Sequence, residues 1–152
     1  KGPYAGKLVA LWLSAWNLGV VRNASDAALT AFVKRQTGLD AVAFLREAAA
    51  ASAAIEALKG WIGREAGVAW GEHPDNPRRA VAEAQWRRLG EAGALMPLAF
   101  PLKPAEQLAA YARAVTGKSA LDFLAEEDWD ALIRALGRKL RPALKKQTET
   151  RT

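Results

Sequence analysis

LTAFVKRQTGLDAVAFL, residues 29–45, returns as LAAYARAVTGKSALDFL, residues 108–124, and this pairing decides how the rest of the chain is read. At a shift of 79 positions Leu29, Phe32, Thr37, Gly38, Phe44 and Leu45 fall on Leu108, Tyr111, Thr116, Gly117, Phe123 and Leu124. At a shift of 78, Ile55, Ala57 and Leu58 fall on Ile133, Ala135 and Leu136. Self-similarity at a fixed spacing marks a module used twice. The sequence therefore predicts an all-α chain of two similar helical lobes, each a three- to four-helix module, joined by a short Gly/Pro linker. The expected bounds are 1–65 for the first lobe, 66–77 for the linker, 78–141 for the second lobe and 142–152 for a basic, mobile tail. Positions shared by the copies read as architecture, so function is sought where they differ.

Helix signals run outward from these stretches. Leu8, Leu11, Trp12 and Ala15 have the i, i+3, i+4, i+7 spacing of one apolar stripe and predict a helix over 7–18, ended by Gly19. Ser25 or Asp26 can cap the next helix, which Thr37 and Gly38 stop, and Asp40 can cap a short turn. Ala51, Ile55, Leu58 and Ile62 mark a longer helix over about 47–65. Gly67, Gly71, Pro74 and Pro77 then crowd into the linker. Ala82, Trp86 and Leu89 open the second copy, Pro104 suits a first helical position, and Trp129, Leu132, Ile133, Leu136 and Leu140 form the last core stripe. Pro142 is expected to end or kink that helix near Arg141.

Composition narrows the function classes. Hydrophobic residues make up 51% of the 152 and charged ones 25%, and a chain of this length can bury roughly 70% of its unfolded surface. With no Cys there is no disulfide and no thiolate chemistry. No apolar run reaches the roughly 18 residues of a membrane span, so a cytoplasmic protein is expected, with no membrane partner. His73, the one histidine, precedes Pro74 and is expected to be solvated; it cannot assemble a histidine metal site or a Ser-His-Asp arrangement. Glu126, Glu127, Asp128 and Asp130 read as the acidic first turn of a helix, and no phosphate-binding glycine loop is present. The chain is therefore read as non-enzymatic, with no catalytic residues, no metal, no cofactor and no small-molecule substrate.

Charge points to binding. The net charge is +6, and from Gly137 onward six basic residues against Glu149 account for +5 of it. Arg138, Lys139, Arg141, Lys145 and Lys146 are the candidate nucleic-acid contacts of this segment. Arg134, Arg138, Arg141 and Lys145 would form one cationic stripe if the helix passed Pro142. Lys34 and Arg35 are a second candidate, with Gln36 beside them as a candidate partner contact; the same cations also suit the negative end of a helix dipole. The second copy has Arg113, Ala114 and Val115 there, so only the first carries the full polar cluster. Among six Trp, Trp12, Trp86 and Trp129 sit on apolar stripes and read as core. Trp16 and Trp70 lie off the stripes, either as anchors for a partner or as seals between the lobes.

LWLSAWNLGVV (11–21), SDAALTAFVKRQTGLDAVAFL (25–45) and IEALKGWI (55–62) resemble the GemA regulatory protein family of Mu-like phages and prophages. Trp12, Asp26, Phe32, Lys34, Arg35, Gln36, Thr37 and Gly38 match its most characteristic segment. After Leu45 the chain departs from the family pattern, with Arg46, Glu47 and Ala48 where relatives place Ser or Thr, then Pro and Glu. The resemblance implies an early phage protein that modulates host gene expression and DNA topology, with DNA gyrase as the suggested host target, and it carries over no catalytic residues. The alternatives are a sequence-nonspecific DNA-binding protein with no protein target, and a phage structural or assembly protein.

Overall fold

The computed structural model describes residues 3–40, 47–95 and 103–151. Six α-helices and no strand occur among them: α1 (Pro3–Asn17), α2 (Asp26–Thr37), α3 (Ala48–Ala66), α4 (Pro77–Glu91), α5 (Pro104–Thr116) and α6 (Glu126–Arg151), with short 3-10 turns at Trp70–Glu72 and Leu121–Phe123. The turn expected after Asp40 and most of the loop before Pro104 lie outside the described residues.

Local chemistry explains the helix ends. Ser25 is the cap of α2, its Oγ accepting from the Ala28 backbone N–H at 3.2 Å. Asn76 caps α4 in the same way through Arg79 N–H at 3.1 Å, and Pro77 and Pro104 sit in the first turns of α4 and α5, where a missing N–H costs nothing. Glu47, at the N-cap of α3, makes no side-chain cap bond to it. Thr37 and Thr116 end their helices alike. Each hydroxyl donates to the carbonyl four residues back at 2.8 Å and accepts the N–H two residues on, and each is followed by a glycine at φ +73° or +77°.

The buried side chains form one continuous cluster drawn from both halves. α4 packs chiefly on α6, and α1 packs on both α3 and α6. In the first half Trp12, Phe32 and Trp61 meet, with Trp12 and Phe32 ring centres 5.5 Å apart at 46° and Phe32 stacked on Trp61 at 5.7 Å. In the second half Trp86 meets Tyr111 at 5.6 Å and 45°. Trp12 and Trp129 are buried, as the stripes predict, whereas Trp86 is only half-buried.

Residues 66–77 are packed as well as turned. Val68 is buried, and Trp70 returns to α3 with its Nε1 donating to the Lys59 carbonyl at 3.0 Å.

The expected end of the last helix near Arg141 is corrected: α6 runs through Pro142 to Arg151, so the segment after Pro142 is helical. Proline removes one donor and crowds the preceding turn, but packing beyond it holds the helix. Leu140 is fully buried, and Leu144 packs on the core over Gly19, whose φ of +80° ends α1 and whose missing Cβ leaves room for the leucine methyl. One turn earlier, a Cβ on Gly137 would overlap Asn17 Oδ1, so glycine there lets α1 close on α6. Gln85 of α4, fully buried, ties the same junction by donating to the Asn17 and Ile133 carbonyls at 3.0 and 2.9 Å.

At the start of α6, Asp128 Oδ2 accepts from the Ala125 N–H at 2.9 Å and from Lys118 Nζ at 3.0 Å, and these bonds hold its carboxyl below the usual aspartate range. A carboxyl depressed by folding stabilises the native state above its unfolded pKa, near 4, and that contribution is lost as pH falls through the lower native value. Asp128→Asn is expected to lower the urea midpoint at pH 7 and to lie closer to wild type at pH 3. An equal gap at both pH values would contradict this.

Candidate functional site

Where α1, the Trp70 turn, α4 and α6 converge, they leave a groove of about 1070 Å³. Its cations come from four elements: Lys7 from α1, Lys59 from α3, Arg78 from α4, and Arg134, Arg138 and Arg141 from α6; Asp130 is its one carboxylate. That acid is already matched, Arg78 Nε lying 2.8 Å from Asp130 Oδ1 with Glu126 at 3.8 Å beyond. Lys7, Arg134 and Arg138 are exposed and form no ion pair among the described residues. Apolar side chains line the same groove, with Leu11, Val81 and Ile133 buried and Leu13 exposed.

Arg141 is the organised cation of the site. Its Nη1 donates to Asn17 Oδ1 at 2.8 Å, and its guanidinium carbon stands 4.3 Å over the Trp16 ring. Burial and then repulsion from Arg138 lower its pKa, yet a guanidinium stays charged at neutral pH. Lys59 stands 5.4 Å over Trp70 on another wall. One cation therefore covers a face of each groove tryptophan.

Of the candidate residues read from the sequence, Arg138, Arg141, Trp16 and Trp70 meet in this groove. The others do not. Lys139 turns to α5 and stands 5.3 Å over Tyr111. Lys145 and Lys146 are exposed on the final turns of α6, beyond the groove. Arg35 and Gln36 line a separate depression of about 350 Å³ with Phe32, Trp61, Arg64 and Glu56, and Lys34 is exposed in the last turn of α2.

Sequence reasoning missed Lys7, Lys59 and Leu13. No local pattern distinguishes them, because only the packing of α1 on α6 and of Trp70 on α3 brings them together. Arg134 was legible as the start of the stripe, and its membership follows once the helix passes Pro142. Other basic residues are committed elsewhere: Arg87 donates to the Ala66 carbonyl at 3.2 Å, Arg88 to the Leu18 carbonyl at 3.1 Å, and Arg79 pairs with Asp122 at 2.9 Å.

The expectation that His73 is solvated is also corrected. It is half-buried, with Nε2 2.8 Å from Glu83 Oε1, because Pro74 and the Trp70 turn fold it back on α4. Glu72, His73 and Glu83 bring three metal-ligand-type atoms within 4.8 Å of one another. Arg79 lies 3.5 Å from the other Glu83 oxygen and supplies positive charge already.

No helix among the described residues is long and apolar enough to cross a membrane. No curated protein and no solved structure matches the chain. The family model described as Bacteriophage Mu, GemA protein matches residues 1–64, which comprise α1, α2 and most of α3. That N-terminal segment, which is similar to the GemA family, supplies Lys7, Leu13, Trp16 and Lys59 to the groove.

Proposed function

We propose that this protein is a non-enzymatic phage or prophage regulator that acts in the host cytoplasm by binding a host protein of DNA metabolism. DNA gyrase is the partner that the family resemblance suggests, and DNA is a second ligand attracted electrostatically by α6. The observation that carries this reading is the groove, where unpaired cations and exposed apolar surface share one concave face. We also read the two halves as copies of one module, on the matching Thr-Gly helix ends and the matching Trp12–Phe32 and Trp86–Tyr111 pairs.

The test is binding of the full chain to purified gyrase and, separately, to a labelled DNA duplex, each at low and physiological salt. Phosphate contacts release counterions and weaken steeply with salt, whereas an interface with an apolar centre does not. Gyrase binding that survives physiological salt is the expected result. Duplex binding alone, lost as salt rises, would replace this reading with that of a nonspecific DNA-binding protein.

A further inference from the structure

We infer that the groove between α1, α4 and α6 receives an acidic, amphipathic segment of a protein partner, with carboxylates against Lys7, Arg134 and Arg138 and apolar side chains on Leu13. The inference rests on the reading that this protein acts through a protein partner, and it specifies where and by what chemistry.

Charge complementarity supplies the first argument. Six cations face the groove against one carboxylate, and that carboxylate is held by Arg78. The uncommitted cations are mostly guanidinium groups, whose planar forks suit carboxylates as well as phosphates. Apolar surface then separates the two anions. Leu13 is 44% exposed at the groove edge, and Val9, one turn before it on α1, is 39% exposed. A phosphate backbone has nothing to place on these side chains, whereas one face of an amphipathic segment does.

The tryptophans point the same way. A nucleic-acid single strand stacks its bases on open aromatic faces. Trp16 carries the Arg141 guanidinium on one face, and Trp70 lies under Lys59 with its Nε1 bound to the α3 backbone. These rings are better built as fixed walls beside a peptide than as stacking platforms.

The experiment uses the full chain at physiological salt and three labelled probes of similar charge, read by fluorescence anisotropy. The first is a glutamate-rich peptide with leucines at i, i+3, i+4 and i+7; the second has the same composition with leucines scrambled; the third is an oligo-dT strand. The first is expected to bind about tenfold tighter than either of the others. Reversing two exposed charges together, Arg134→Glu with Arg138→Glu, should weaken it about tenfold or more, and Leu13→Gln should weaken it about threefold while leaving oligo-dT unchanged. All three positions are solvent-exposed, and unchanged helical circular dichroism verifies that each variant folds. Equal binding of the scrambled peptide, tighter binding of oligo-dT, or indifference to both variants would overturn the inference. If the peptide fails while gyrase still binds the wild-type chain, the groove assignment falls and the regulator reading stands; if gyrase also fails to bind, the regulator reading falls too.

Discussion

A chain ending at Gly137 should be less stable than the full protein by about 4 kcal/mol, combining the loss of one fully buried and one half-buried leucine with that of a charged hydrogen bond. The truncation removes Leu140, which is fully buried, Leu144, which covers Gly19, and Arg141, which binds Asn17. Stability of a domain this size is typically about 5–15 kcal/mol, so such a loss consumes much of it. The urea midpoint should fall accordingly. Replacing Lys145 and Lys146 by glutamine removes charge from the same helix but keeps both leucines, and should change stability by no more than about 1 kcal/mol. An unchanged midpoint in the truncated chain would mean that the end of α6 is not packed as described. It follows that truncation is a poor probe of the basic segment's role in binding, because charge and fold are lost together.

Trp12→Ala should cost about 3–5 kcal/mol, the range for deleting a large aromatic from a packed core. Trp12 is 4% exposed, lies against Phe32 and Trp61, and donates its indole N–H to the Asn23 carbonyl at 2.9 Å. Alanine would leave a cavity under α2 and an unpaired carbonyl in the connection from α1 to α2. Trp86 packs against Tyr111 but is half-buried, with its indole N–H on the Gln107 side chain at 3.1 Å. Its replacement by alanine should cost clearly less. Urea unfolding of both variants checks the order, and a larger loss from Trp86→Ala would contradict the burial pattern.

Helix positions were legible because their signals are local. The stripe Leu8, Leu11, Trp12 and Ala15 gave α1, the Thr-Gly pairs gave the ends of α2 and α5, and Trp129 to Leu140 gave the buried face of α6. Pro142 misled because a local rule met a tertiary contact: Leu144 on Gly19 holds a turn that proline alone would disfavour. His73 misled for a similar reason, since its partner Glu83 is ten residues away on another helix. Half of the groove was visible as off-stripe tryptophans and a basic segment. The other half was not, because Lys7, Lys59 and Leu13 become neighbours of Arg134 and Arg138 only through the α1–α6 crossing at Gly137.

That crossing is where the account places function, and backbone hydrogen exchange of the full chain, free and bound to purified gyrase, tests it most directly. The predicted result is added protection along α1, across residues 70–78 and over residues 130–141, with little change elsewhere. Protection confined to residues 34–38 and the neighbourhood of Trp61, or to residues 145–149, would place the interface away from the groove and contradict the account.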